Sequence, residues 1–298
     1  MTSIATTAPV VNVTGTAAEF TARLDAERRA GRRVGMVLTM GALHDGHASL
    51  IARAAAECDV VAVSVFVNPT QFADPSDLTN YPRTLERDLD VAGRAGAHLV
   101  FAPSVTEIYP GWPAPTTTTV TVRLLGDRWE GVSRPGHFDG VATVVATLLS
   151  MTGRCRTYFG EKDFQQLAIV RRVVRDLALP VEVVGCPTVR EHDGLAMSSR
   201  NVRLSSAERS AAVCLSRALA AGSEAFEAGG DRANVEASMA AVVAAEPLVD
   251  LDYAVLVDAD DLEPADVLWS ADRALRLLIA AQVGPVRLID NIDPRAPR

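Results

Sequence analysis

Several short polar stretches of this chain carry side chains with chemistry to offer. In TMGALHDGH, Thr39–His47, two imidazoles stand three residues apart, so on a helix they share one face. Gly41 and Gly46 let backbone come close to a ligand. A helix N-terminus carries roughly half a positive charge and unpaired N–H groups, which makes it an anion site. Imidazoles there could donate to phosphate oxygens as charge grows in a transition state, each donor being worth on the order of 10²–10³ in rate. A lone His-x-x-His is more often one helix cap and one solvated ring. The Met-Gly-Ala-Leu approach behind an apolar run favours the phosphate reading here.

Other stretches complete the chemistry. GLAMSSRN, Gly194–Asn201, offers the Ser198 and Ser199 hydroxyls and the Arg200 guanidinium, a set that could wrap a polyphosphate. Its alternative is a serine-rich turn capping the next helix. GEKDFQQ, Gly160–Gln166, places Lys162 and Asp163 at a helix start, the cation suited to phosphate and the carboxylate to a ribose hydroxyl. Acidic first turns are ordinary, whereas lysine is less natural at that end. VNPTQF supplies the Asn68 and Gln71 amides, which bond hydroxyls and carboxylates without a full charge and so suit a small hydroxy acid. Asn-Pro can equally just end a strand. Glu130, Arg134 and His137 lie in EGVSRPGHFDGV, which reads as a mobile flap or as a surface turn. Asp88 reads as a solvated helix carboxylate, with contact to a phosphate-borne metal as the alternative.

The elements that must position these groups follow from periodicity. RRVGMVLTM, VVAVSVFVNP, HLVFAP, RTYFG and VEVVGCP read as short strands. ASLIARAAAECD, TLERDLDVAGRAGA, FDGVATVVATLLSMTG and EKDFQQLAIVRRVVRDLAL read as helices. TTTTVTV is a further β-rich segment. Strands alternating with helices mean βαβ units and a parallel sheet covered on both faces, that is, an α/β fold. Ligands of such sheets bind at the carboxyl ends of the strands. TMGALHDGH, NPTQF and GEKDFQQ all fall there, and AMSSRN falls where the texture changes. Beyond Thr188 come Ala-rich helices and then three strand-like runs joined by short turns. The organisation is therefore a first domain, residues 1–187, and a smaller α+β domain, residues 188–298. The terminal DPRAPR is expected to fray.

Bulk composition narrows the class. The chain has 298 residues, 48% hydrophobic and 22% charged, enough to bury a core without disulfides. A net charge of −8 argues against nucleic acid as the main partner. Cys58, Cys155, Cys186 and Cys214 form no CxxC pair and no zinc spacing, and read as reduced, buried thiols of a cytoplasmic protein. The first twenty residues lack a signal-peptide pattern. GVATVVATLLSM is too short for a membrane span of ~20 residues.

HDGH resembles the HxGH signature of adenylate-forming nucleotidyltransferases, and MSSR resembles a variant of their KMSKS-type loop. The longer strings TMGALHDGH, SVFVNPTQF, YPRT, FGEKDFQQ and VREHDGLAMSSRN are similar to those of the pantothenate synthetase (pantoate–β-alanine ligase) family. They occur in family order from Val37 to Asn201, with weaker similarity through RLLIAAQVGPVRLIDNI. The resemblance implies a Rossmann-like doubly wound sheet of the HIGH nucleotidyltransferase type, with the C-terminal domain as a movable cover. It implies ATP as co-substrate with Mg2+, a pantoyl-adenylate intermediate, and pantothenate, AMP and pyrophosphate as products. No covalent enzyme intermediate and no metal ligand from the protein are implied.

By position, the ATP site would comprise Met40, Gly41, Ala42, Leu43, His44, Asp45, Gly46 and His47. Gly160, Glu161, Lys162, Asp163, Val189, Met197, Ser198, Ser199 and Arg200 would complete it. His44, His47, Lys162, Ser198, Ser199 and Arg200 would be catalytic, with His47 as proton donor. Gln71 and Gln166 would hold pantoate with help from Asn68 and Glu130, and Gln71 would also meet β-alanine. Implied partners are these small molecules and a second copy, in a homodimer built through the first domain. Leu38, where the family mostly has proline, and Phe164, where tyrosine is frequent, depart from the pattern without touching the assigned chemistry. The rivals are another HxGH enzyme activating a different small carboxylate, and a non-catalytic nucleotide sensor.

Overall fold

A computed structural model describes residues 11–72, 75–265 and 273–296, so the readings of the first ten and last two residues lie outside the described residues. Two compact units emerge, one of residues 1–160 with 169–186, the other of residues 161–168 with 187–298.

The first unit is a six-stranded parallel sheet. In chain order its strands are β1 (Asn12–Thr14), β2 (Val34–Thr39), β3 (Val60–Val65), β4 (Leu99–Phe101), β5 (Cys155–Gly160) and β6 (Val181–Cys186). Their order in space is β1-β4-β3-β2-β5-β6. The α/β expectation and its doubly wound form therefore hold. β2 and β3 are buried almost throughout, which is why they read as unbroken apolar runs rather than alternating ones. The order reverses between β2 and β5. β2 and β3 pair along six residues, whereas β2 and β5 pair only at Gly35–Arg156 and Met36–Thr157. The ladder thus stops short of the carboxyl ends of β2 and β5, the position where such sheets open a ligand crevice.

Helix Asp45–Glu57 follows β2 and buries Ile51 and Ala54 against β-strand residues Val37, Val61 and Val63. Helix His137–Thr152 is buried along nearly its whole length, which explains why its apolar residues are not confined to one stripe. The β-rich Thr116–Val122 segment forms no strand. Val120 N–H instead donates to the Thr143 hydroxyl at 3.0 Å, so β-propensity without a neighbouring strand leaves the segment irregular.

The second unit packs helices Cys214–Glu227 and Arg232–Ala244 on an antiparallel sheet of β7 (Val249–Asp258), β8 (Leu275–Val283) and β9 (Val286–Ile292), ordered β7-β8-β9. Leu215, Leu219, Met239, Leu277 and Ile279 form its core. Fully burying one such side chain contributes ~1.5–3 kcal/mol, so the core stabilises this unit without cross-links. All four cysteines are free and buried. β8 and β9 turn tightly at Gly284-Pro285, but β7 and β8 are joined by residues 259–274, longer than the short turn expected. The tail is tied down in its described part, residues 293–296, rather than frayed. Arg295 donates to the Arg273 carbonyl at 2.8 Å and lies over the Phe226 ring.

Candidate active site

In the first unit the site begins where β2 ends. The Thr39 hydroxyl donates to the Ser64 carbonyl at 2.6 Å and accepts from the Gly41 N–H at 3.1 Å, which turns the chain sharply. Gly41 has φ +84° and Ala42 φ +52°. At Gly41 a Cβ would stand 3.0 Å from the Asp88 carboxylate, so conformation and space both require glycine. Asp88 is the surprise. The sequence suggests a solvated helix carboxylate, yet it is 1% exposed. Its two oxygens accept from Ala42 N–H at 3.0 Å and Leu43 N–H at 2.7 Å, and one also takes the Thr84 hydroxyl at 3.3 Å. A buried carboxylate persists because it is bonded this way, and it holds the loop in its left-handed turn.

His44 is the N-cap of helix Asp45–Glu57. Its Nδ1 accepts from the Gly46 N–H at 3.1 Å, and the His47 Nδ1 accepts from the His44 N–H at 3.4 Å. The rings lie 4.1 Å apart, tilted by 45°. A neutral imidazole has one donor and one acceptor nitrogen. With both Nδ1 atoms accepting, both rings carry their proton on Nε2. Capping and phosphate donation, rivals in the sequence, are therefore compatible: the cap selects the tautomer that turns Nε2–H into a donor. The half-charge of the helix end and Gly46 add to the same anion-binding character.

The amides come next. Asn68 is 1% exposed. Its Oδ1 accepts from the Tyr109 hydroxyl at 2.8 Å and the Thr70 hydroxyl at 2.9 Å. Its Nδ2 donates to Gln71 Oε1 and to the Gly140 carbonyl, both at 3.1 Å. Burial pushes the Tyr109 hydroxyl above its ordinary pKa, which keeps it a donor. With its amide so occupied, Asn68 aims Gln71 rather than offering itself. Gln71 Nε2 in turn lies 2.9 Å from Met40 Sδ.

Helix His137–Thr152 anchors the same turn. His137 Nε2 lies 2.9 Å from the Arg134 guanidinium, and its Nδ1 lies 2.9 Å from the Gln71 carbonyl. A guanidinium can only donate, so the His137 proton sits on Nδ1 and is given to that carbonyl. A Cβ at Gly140 would fall 2.4 Å from the Thr70 carbonyl oxygen, so only glycine allows this approach. Within EGVSRPGHFDGV, Glu130–Ser133 forms one helical turn, and Glu130 and His137 are buried rather than on the surface.

In the second unit Glu161–Asp163 forms a 3-10 turn leading into helix Phe164–Asp176, which ends in the first unit. Lys162 Nζ lies 3.5 Å from the Asp163 carboxylate, and Gln166 is half-buried. Val189 and Met197 meet across a hairpin, Met197 N–H donating to the Val189 carbonyl at 2.9 Å. Beyond it Ser198 Oγ accepts from Arg200 N–H at 3.2 Å, with Ser199 and Arg200 exposed. The hairpin is braced by Arg209, which donates to Glu191 at 2.6 Å and to Asp193 at 2.7 Å. Those bonds lower both carboxyls, Asp193 to about 2. Asn201 ties the loop back by donating to Glu191 at 2.8 Å and to the Ala196 carbonyl at 3.1 Å.

Sequence reasoning passed over Tyr109 and the buried role of Asp88, and over Arg190, Arg276, Asp290 and Asn291 in the second unit. The signal for the last two was a pair of adjacent polar residues, Asp290 and Asn291, between Ile289 and Ile292 of β9.

Comparison with known proteins places the chain in a family. The family profile described as pantoate–β-alanine ligase matches residues 12–293. A pantothenate synthetase of Rubrobacter xylanophilus is 52% identical over 269 residues, covering 89% of this chain and 92% of the relative. A crystal structure of pantothenate synthetase from Thermus thermophilus aligns with TM-score 0.87 at 46% identity, covering 96% of this chain and 100% of that one. The pantoate–β-alanine ligase of Francisella tularensis, complexed with beta-gamma ATP and β-alanine, aligns with TM-score 0.76 at 31% identity, covering 96% and 99%. With most of its length matched at such identity, this chain belongs to the pantoate–β-alanine ligase family.

Proposed function

We propose that this protein condenses (R)-pantoate with β-alanine at the expense of ATP, by way of a pantoyl adenylate. A carboxylate is a poor acyl donor and a mixed anhydride with AMP is a good one. A pantoate carboxylate oxygen attacks the α-phosphorus of ATP and pyrophosphate departs. The β-alanine amine then attacks the acyl carbon, AMP departs with the bonding pair, and the amine loses its proton. The observation that carries the reading is the reciprocal cap of His44 and His47, which makes each Nε2 a donor at a helix N-terminus.

In this reading Met40–His47, Gly160–Asp163, Val189 and Met197–Arg200 bind ATP. His47 donates to the phosphates as charge develops, with His44, Lys162, Ser198, Ser199 and Arg200 beside it in the chemistry. Gln71 and Gln166 hold pantoate, Asn68 and Glu130 assist from behind, and Gln71 also meets β-alanine. Mg2+ enters on the triphosphate. Among the described residues no group of three His, Cys, Asp or Glu side chains could hold a metal, and the reading routes no step through a protein-bound ion. Residues 1–187 act as the nucleotide- and pantoate-binding domain and residues 188–298 as the cover domain carrying the serine loop. The protein acts in the cytoplasm as a homodimer formed through the first domain. Among the described residues no helix is long and apolar enough to cross a membrane.

Pantoate-dependent exchange of pyrophosphate into ATP, without β-alanine, tests the reading. Exchange supported by other small carboxylates but not by pantoate would reassign the substrate. Nucleotide binding without any exchange would favour a sensor.

A further inference from the structure

The C-terminal sheet carries polar residues in its interior that the reaction does not use. Arg276 on β8 and Asp290 and Asn291 on β9 are 9%, 3% and 3% exposed. Polar groups at such depth are costly unless bonded, so their partners identify their work. Asn291 Nδ2 donates both hydrogens to backbone, reaching the Glu161 carbonyl at 2.9 Å and the Lys162 carbonyl at 2.8 Å. Its Oδ1 accepts from Arg276 Nε at 2.7 Å. Arg276 also donates to the Glu161 carboxylate at 2.8 Å, and its guanidinium lies 4.3 Å from the centre of the Phe164 ring. The turn bearing Lys162 is thus held by side chain, backbone and ring contacts from one sheet.

The neighbouring residue serves the other segment. Asp290 takes Arg190 through both oxygens, at 2.6 and 2.9 Å. Arg190 donates onward to the Gly194 carbonyl at 2.9 Å and forms a bridge with Ala196. Arg190 opens the hairpin whose return limb runs directly into Ser198–Arg200. Two successive side chains of β9 therefore anchor both cation- and hydroxyl-bearing segments of this unit. Apolar residues of similar size could not address the Glu161 and Lys162 carbonyls, which these side chains hold.

We propose that Arg276, Asp290 and Asn291 are positioning residues for nucleotide binding, fixing the Lys162 turn and the root of the Ser198–Arg200 loop as one pre-ordered body. The inference rests on the reading that Lys162 and the serine loop meet ATP. Lysine is a point charge on a flexible stem, so the placement of its backbone sets where the charge can go. Ordering that backbone before ATP arrives removes a cost from binding.

Lys162 is the only lysine in the chain, which makes the test site-specific. Its ε-amine is labelled with trinitrobenzenesulfonate and read by peptide mass, with the α-amine resolved separately. The ATP concentration giving half-protection is measured for the wild type, Asn291→Ala and Arg276→Met, below each protein's unfolding midpoint. Arg276→Met keeps an apolar stem over Phe164 while removing the donors, and serves if Asn291→Ala fails to fold. The expected result is a ~10–100-fold higher half-protecting concentration. KM for pantoate should stay within about twofold of wild type. Half-protection unmoved in a variant with a lowered midpoint would make the network a scaffold only and overturn the proposal. Wild-type Lys162 left unprotected by ATP would instead refute the nucleotide reading, and this inference with it.

Discussion

Replacing Asp88 by asparagine tests whether a buried carboxylate governs the loop that leads into the paired histidines. The carboxylate meets Ala42 N–H at 3.0 Å and Leu43 N–H at 2.7 Å, one on each oxygen. An asparagine can present its oxygen to one of these, but its amino group then faces the other, donor against donor. One charge-assisted hydrogen bond is lost, worth ~1.5–3 kcal/mol. The left-handed conformation of Ala42, which costs ~1–2 kcal/mol, then loses its restraint. Because that strain is present with or without the carboxylate, the change is the lost bond alone, about 1.5–3 kcal/mol, or roughly 10–150-fold in the population of the ordered loop. Urea unfolding reads the stability share, and kcat/KM for ATP in pantoate-dependent exchange reads the loop share. Thr84→Val is the control. It removes only the long 3.3 Å bond from the Thr84 hydroxyl to the same carboxylate and should cost ~1 kcal/mol, less than Asp88→Asn. Asp88→Asn with stability and exchange both indistinguishable from wild type would refute the argument.

Three further outcomes are expected. His47→Ala should lower exchange ~10²–10³-fold while costing only ~1 kcal/mol of stability through the lost cap; unchanged turnover would remove His47 from the mechanism. Gln71→Ala should raise KM for pantoate well beyond any change in ATP affinity, and the opposite order in titrations would reassign the amide. Arg209→Met should destabilise the protein in a pH-dependent way. Asp193 is lowered from 3.8 to about 2, chiefly by its bond to Arg209, so the stabilisation is present above 3.8 and is lost as pH falls towards 2. The gap in urea midpoint between wild type and variant should therefore close across that window, and a gap constant with pH would exclude the carboxylates as its source.

What the sequence determined by itself is local in origin. A cap is written within four residues, so His44 and His47 could be set on one helix start from their spacing. Unbroken apolar runs marked the buried parallel strands, and their alternation with helices implied a parallel sheet covered on both faces. Turn-forming polar segments put Asn68, Gln71 and Lys162 just beyond the carboxyl ends of β3 and β5, because each strand's apolar run marks where it stops. What only the tertiary structure decided is which distant groups complete those segments. Thr116–Val122 had strand composition but found no strand to pair with, since β-structure needs a partner that composition cannot guarantee. Asp88 looked like any helix carboxylate until packing brought it under Ala42 and Leu43, 46 and 45 positions away along the chain. Asn291 reaches a carbonyl 129 residues distant. Such contacts depend on how sheets and helices stack, and neither periodicity nor spacing encodes which buried polar atom will answer which backbone group. Folding decides that by pairing most buried polar groups with a partner that packing brings within reach.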